Sequence, residues 1–257
     1  MKTVVFIETA KSGSSREAIQ AAERLGYYTV LFTKRSSFLE KRSEFHDVHY
    51  MRLVDLDNIK EIRKEIQILL DKGLMIESII SFVDPYCYTA SLLAKEHQVN
   101  HFSTEAIRKI ENKLYSREML ASSPYAPKYW VLNKDSSLDE YLNELLPNFP
   151  LMMKSPQSTG SKDVFQVNDK KQLIKGYSAL LNKFPNDPVI IEEYLSEPQY
   201  LVEAVVVAGK VHIIAIFKQD IQQQKRFIVT GYNLMLNPNY EFHRKIKSAV
   251  LGIIKLH

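Results

Sequence analysis

Apolar and polar positions alternate in two rhythms over the first hundred residues. Short apolar runs, "TVVFIE" (3–8), "YYTVLFT" (27–33), "VHYMRLV" (48–54) and "SIISFVD" (78–84), have the length and β-branched content of strands. Between them lie stretches of helical period. "SSREAIQAAERLG" predicts an amphipathic helix capped by Ser14 or Ser15 and stopped by Gly26. "DLDNIKEIRKEIQILLDKG" puts Ile59, Ile62, Ile66 and Leu69–Leu70 on one face, and "YCYTASLLAKEHQ" closes the series. Strand–helix alternation with short connections predicts a Rossmann-like, mostly parallel sheet covered on both faces.

Beyond residue 103 the rhythm changes. "TEAIRKIENKLYSREMLASS" reads as one linking helix ended by Pro124 and Pro127. Strands are then expected at "KYWVL", "LMMK", "VFQV" and "VIIEEYL", with helices at "LDEYLNELL" and "DKKQLIKGYSALLNKF". "YLVEAVVVAGKVHIIAIF" predicts a hairpin turning at Ala208–Gly209, and the polar "QDIQQQKR" a mobile loop. The pattern is α+β, so the expected division is residues 1–102, a link at 103–124, and two lobes at 125–191 and 192–257.

Composition narrows the class without naming a function. A chain of 257 residues is long enough for two domains. Its net charge of +4 comes from 34 basic and 30 acidic residues spread along the chain, with no basic arm, which argues against nucleic acid as a partner. No apolar run approaches the ~20 residues of a membrane span, and the N-terminal run ends at Glu8, as a first strand rather than a signal peptide. Cys87 is the one cysteine, which excludes an internal disulfide and a cysteine-based metal cluster and fits a cytoplasmic protein. It reads as a small buried hydrophobe on a helix rather than a catalytic thiol. His46 and His49 would fall on opposite faces of a strand, which disfavours a metal pair. Tyr125, Tyr129 and Trp130 read as core or hinge packing, and Glu193 as a surface residue at a hinge.

Candidate chemistry concentrates in "FPLMMKSPQSTGSKDVFQV" (149–167), where an apolar strand delivers Lys154 to a loop of small residues. Taken alone, such a lysine is a solvated strand end. A dinucleotide fingerprint is missing, because "ETAKSGSSREA" has one glycine where three are needed, and "TGSKD" lacks the ending of a Walker A loop. Lys113 in "ENKLYSREML" and the acids of "VIIEEYL" lie about forty residues to either side of Lys154 in the chain. Two lysines can neutralise nucleotide phosphates as point charges, and a Ser/Thr/Gly loop can close backbone N–H groups over phosphate oxygens. A strand edge past Glu192 can accept from an adenine amine and donate a main-chain N–H to a ring nitrogen.

From about Asp84 onward this ordered set resembles the ATP-grasp superfamily, in its carboxylate–amine ligase branch. That branch includes carbamoyl-phosphate-synthase-like proteins and bacterial L-amino acid ligases. The stretches that carry the likeness are "SFVDPYCYTASLLAKEHQVNHFSTEAIRKIENKLYSREML", "FPLMMKSPQSTGSKDV", "VIIEEYLSEPQYLVEAVVVAGKVHIIAI" and "RFIVTGYNLMLN". The N-terminal stretch is similar to the small α/β domain that precedes the ATP-grasp lobes. The resemblance implies ATP as ligand, with Lys113 and Lys154 on its phosphates and Ser158, Thr159, Gly160, Ser161 and Lys162 as a covering loop. It implies Glu192 on the adenine amine, Tyr194 and Leu195 as main-chain contacts, and Glu203 near the ribose or the reacting centre. Gln199 stands where a glutamate commonly holds the ribose, and a glutamine still hydrogen-bonds hydroxyls.

The family holds its Mg²⁺ with acids and an asparagine on later strands, and His257 falls where that stretch would open. The resemblance therefore implies a chain truncated before the metal-binding strands, an incomplete C-terminal lobe, and negligible turnover by residues 1–257 alone. The complete form would join a carboxylate to an amine through an acyl phosphate, with ATP and Mg²⁺. The alternative is a non-catalytic ATP-binding or regulatory module. Expected partners are a small carboxylate and an amine, with no membrane, and a homo-oligomer is allowed.

Overall fold

The computed structural model describes residues 1–156, 163–223 and 227–256, without the side chains of Gln223 and Phe227. Two compact units divide the chain, Met1–Glu111 and Asn112–His257.

The first unit follows its alternation. Strands β1 (Lys2–Ile7), β2 (Tyr28–Thr33), β3 (Tyr50–Leu53) and β4 (Met75–Ile80) form a wholly parallel sheet in the order β3-β2-β1-β4. Helices α1 (Ser14–Arg24), α2 (Ser36–Glu40), α3 (Ile59–Asp71), α4 (Cys87–Glu96) and α5 (Thr104–Glu111) complete it. One apolar cluster takes Val5, Ile7, Val30 and Phe32 with Ile62 and Ile66 of α3; the other takes Phe6 and Leu31 with Ile19 of α1. Successive strand residues thus feed opposite layers.

Several local expectations are corrected. Gly13, at φ 84°, precedes α1 as its cap, and the Ser15 hydroxyl instead accepts the Ala10 N–H at 2.9 Å. β4 starts at Met75, three residues earlier than the "SIISFVD" run. His46 and His49 lie outside β3; His49 stacks on Tyr28 at 4.9 Å and its Nδ1 accepts the Thr29 N–H at 3.1 Å. Cys87 is only partly buried, at the start of α4. Burial and the nearby Asp84 and Glu111 carboxylates push its thiol up to about 11, the opposite of an activated nucleophile.

The linking helix is broken. Asn112 ends α5 and caps α6 (Lys113–Leu120), its side-chain oxygen accepting the Leu114 N–H at 2.9 Å and the Tyr115 N–H at 3.3 Å. An asparagine competes for backbone donors in this way, and here it opens a second helix at the unit boundary.

In the second unit, β5 (Tyr129–Leu132), β6 (Leu151–Lys154), β7 (Val164–Val167) and β8 (Val189–Glu193) form an antiparallel sheet in the order β5-β8-β6-β7. Helices α7 (Leu138–Leu145) and α8 (Lys170–Lys183) belong to the same layer pair. Leu151, Met153, Val189 and Ile191 of the sheet join Leu142, Leu145, Leu173 and Leu180 of the helices in one buried cluster. Trp130 shares it, its indole N–H donating to Glu144 at 2.8 Å.

A second antiparallel sheet, β11-β10-β9, holds β9 (Tyr200–Val207), β10 (Lys210–Gln223) and β11 (Phe227–Leu234), before α9 (Tyr240–Leu256). Ala208 at φ 48° and Gly209 at φ 75° make the predicted hairpin turn. Gln219–Gln223, expected as loop, continues β10, because β11 pairs with it from Phe217 onward. Gln224–Arg226, and with them the end of that stretch, lie outside the described residues.

Candidate active site

Period-two alternation decides what the first sheet of the second unit offers on each face. With Leu151, Met153, Val189 and Ile191 turned into the core, Met152, Lys154, Ile190 and Glu192 face the other way. β6 and β8 pair Met152 with Glu192 and Lys154 with Ile190, so Lys154 and Glu192 are diagonal neighbours on that face.

Glu192 is 6% exposed. Its Oε2 accepts from Lys154 Nζ at 2.6 Å, and its Oε1 from Arg117 Nε at 2.6 Å. Arg117 lies four residues after Lys113 on α6, which puts both cations on one helix side. Lys113 Nζ donates to the Pro156 carbonyl at 3.2 Å, just past the end of β6.

Three cations therefore surround one buried carboxylate. Burial alone would raise the Glu192 carboxyl, but the Arg117 hydrogen bond and the charges of Lys154 and Arg117 outweigh it and hold the group below the usual carboxylate range. Lys154 is driven the other way from a simple ion pair. Burial is the largest influence and lowers its ammonium, Glu192 opposes this, and repulsion from Arg117 adds to the lowering, which leaves it below the usual lysine range. Lys113 is lowered by burial first and by the charge of Lys154 second. Three cations stand about this one carboxylate, and Glu193 and Glu197 are the other acids that line the cavity.

The cluster opens on a cavity of about 650 Å³, within the range of small-molecule sites. Met152, Val164, Leu195 and Ile221 supply apolar walls beside Arg117 and Lys154. The Leu195 N–H donates to no described residue, leaving a main-chain donor at the rim. The arrangement can hold a flat apolar ring at one end and an anion at the other.

No family model matches the chain. It is 25% identical over 249 residues to dapdiamide A synthase of Enterobacter agglomerans, a match covering 89% of this chain and 54% of that protein. The fold superposes on an L-amino acid ligase from Bacillus licheniformis with TM-score 0.78 and 16% identity, covering all of this chain and 60% of that one. N5-carboxyaminoimidazole synthetase from Staphylococcus aureus, solved with ADP, gives 0.72 and 15%, covering 98% and 62%. The chain has the ATP-grasp fold. It spans between about half and two thirds of the length of these three ATP-grasp proteins.

Within that fold the predicted site residues divide. Lys113, Lys154 and Glu192 converge in the cluster just described. Tyr194, Leu195 and Gln199 line the cavity with Lys154 and Glu192. The Tyr194 N–H is already taken by the Pro150 carbonyl at 3.2 Å. The Gln199 carbonyl accepts the Gln219 N–H at 2.9 Å, tying the rim to β10. Glu203 is exposed on β9 opposite Ala215 and does not line the cavity. Glu193 lines it, but its carboxylate accepts the Lys128 N–H at 2.8 Å. Ser158, Thr159, Gly160, Ser161 and Lys162 lie outside the described residues, as does His257.

Two participants escaped the sequence reading. Arg117 sits in the quoted "ENKLYSREML", and its spacing of four from Lys113 was the available signal. Lys218 lines the far side of the cavity from β10, and nothing in its neighbourhood of the sequence announces that.

Of the carboxylates that line the cavity, Glu192 is engaged by cations at both oxygens and Glu193 accepts a backbone N–H, which leaves Glu197 as the acid open to a divalent metal beside nucleotide phosphates. Among the described residues the one triad of metal-ligating types is Asp84, Cys87 and Glu111, in the first unit.

Proposed function

We propose that this chain is the nucleotide-binding part of an ATP-dependent carboxylate–amine ligase. The observation that carries the reading is the gathering of three cations, Lys113, Lys154 and Arg117, around Glu192 at the end of an apolar-walled cavity. Adenine lies against Met152, Val164 and Leu195, and the Leu195 N–H donates to a ring nitrogen. The phosphates meet Lys154, Lys113 and Arg117. The sheets β5-β8-β6-β7 and β11-β10-β9 belong to the two lobes, preceded in the chain by the α/β unit Met1–Glu111.

In the reaction, the substrate carboxylate oxygen attacks the γ-phosphorus, the bond to the β–γ bridging oxygen breaks, and ADP leaves. The amine then attacks the acyl carbon and displaces phosphate, losing a proton as the amide forms. The cations stabilise charge that shifts onto the bridging oxygen during transfer, which is where fixed positive groups accelerate phosphoryl transfer. Lys154 is held by strand and ion pair before the nucleotide arrives, so little ordering is left to do at that moment. Mg²⁺ would accompany the nucleotide.

A second reading is a non-catalytic ATP-binding module. It is favoured by the engagement of both Glu192 oxygens by cations and by the absence, among the described residues of the cavity, of a clustered triad of metal-ligating side chains. ADP release with ATP, Mg²⁺ and a panel of amino acids separates the two. Amine-dependent ADP release that falls with Lys154→Ala supports the ligase, and tight ATP binding without turnover supports the module.

A further inference from the structure

We propose that a second small-molecule site lies between β10 and α9 and takes a small organic carboxylate. A cavity of about 240 Å³ is lined there by Val211, His212 and Ile213 of β10 and by His243, Lys247 and Leu251 of α9. That is about eight times the volume of a water molecule in the liquid, room for an acid of a few carbons. It shares no lining residue with the cavity at Lys154.

Sequence spacing builds the α9 wall. His243, Lys247 and Leu251 follow one another at intervals of four, so they form one stripe along the helix. The β10 wall has no strand on one side, because among the described residues β11 joins β10 only from Phe217 onward. On its other side β9 places Val205 opposite His212 and Val207 opposite Lys210, which brings no acid to the cavity.

Charge and polarity then select the ligand. The side chains of His243 and Lys247 make no hydrogen bond or ion pair with any described residue. The acid of the first turn of α9, Glu241, is paired with Lys245 at 3.1 Å. Alternation along β10 turns His212 away from Val211 and Ile213, so the side-chain donors are the Lys247 ammonium and the His243 imidazole of α9, and no lining side chain carries a negative charge. A carboxylate accepts from such groups in charge-assisted bonds. Val211, Ile213 and Leu251 give the rest of the wall an apolar surface, which favours a hydrocarbon body over a bare oxyanion.

The test uses the full 257-residue chain and three probes: 4-methylpentanoate, 4-methylpentanol and inorganic phosphate. Imidazole ¹H–¹³C signals, assigned with His212→Gln and His243→Gln, are followed by NMR. The expected result is a saturable shift of His243 with the carboxylate, larger than any at His212, and none with the alcohol. Lys247→Met should weaken the carboxylate about tenfold while ATP titration is unchanged. A phosphate response as strong as the carboxylate's would overturn the organic-acid assignment. No shift of either histidine with the carboxylate at about 10 mM would overturn the site itself.

Discussion

Two buried ion clusters, one in each unit, use the same residue types to opposite ends. In the first unit Arg16 meets Asp47 through both guanidinium nitrogens, with the side chains 10% and 11% exposed. Arg16 also lies over the Phe45 ring at 4.8 Å and donates to the Glu44 carbonyl at 3.3 Å. One cation answers one anion, and every neighbour is protein. In the second unit Glu192 is as deeply placed, but three cations share it and the group opens on a cavity. Burial and ion pairing alone therefore do not distinguish a staple from a site. The number of cations per carboxylate and the presence of a cavity do: Arg16 and Asp47 pair one to one, whereas Arg117, Lys154 and Lys113 gather about Glu192 beside a cavity.

The sharpest way to break the comparison is to remove the acid from the one-to-one pair. Asp47→Ala leaves a buried guanidinium without its carboxylate and should destabilise the chain by about 3–5 kcal/mol, with ATP affinity unchanged. Urea unfolding and nucleotide titration of that variant measure both. A loss of ATP affinity without a loss of stability would put Asp47 in a binding role and collapse the contrast.

At the cavity, Lys154→Ala should weaken ATP about a hundredfold, on the scale of a charge-assisted hydrogen bond lost from a partly buried site. Lys162→Ala should cost less, because a lysine on a loop spends ordering entropy to contribute. Equal losses in calorimetric titrations would mean that the fixed strand position of Lys154 confers no advantage.

The pH dependence is the smaller effect, and its two signs oppose each other. The amines of Lys113 and Lys154 are lowered by burial from 10.5, so between the lowered values and 10.5 the folded state binds fewer protons than the unfolded state. Stability then rises with pH across that window. ATP affinity, which needs both ammonium groups, falls across the same window, and binding takes up protons. Glu192 acts at the other end: its lowered carboxyl contributes stability that is lost as pH falls through the folded value. Calorimetry in buffers of different ionisation enthalpy reads the proton uptake. Proton release on ATP binding at alkaline pH would contradict the account.

How much of this was legible depended on whether the information was local. The apolar runs carried β6 and β8 and so delivered Lys154 and Glu192 to strand ends. Alternation also carried the parallel sheet of the first unit and the hairpin at Ala208–Gly209. The Arg117–Glu192 pair spans 75 residues, and no spacing rule links a helix residue to a strand that distant. Asn112 looked like one more polar helix residue until its side chain was seen capping α6. Gln219–Gln223 read as loop because its polarity was taken for solvent exposure, whereas pairing with β11 keeps it in the sheet and brings Ile221 to the cavity. Glu203 follows from the family resemblance alone, and an exposed strand position opposite Ala215 keeps it off the cavity wall.

The central claim is that Lys113, Lys154 and Arg117 hold phosphate groups, and a calorimetric series of adenosine, ADP and ATP tests it most directly. The account predicts that affinity rises with each added phosphate and that Lys154→Ala flattens the series toward the adenosine value. Adenosine binding as tightly as ATP to the unaltered chain would contradict it.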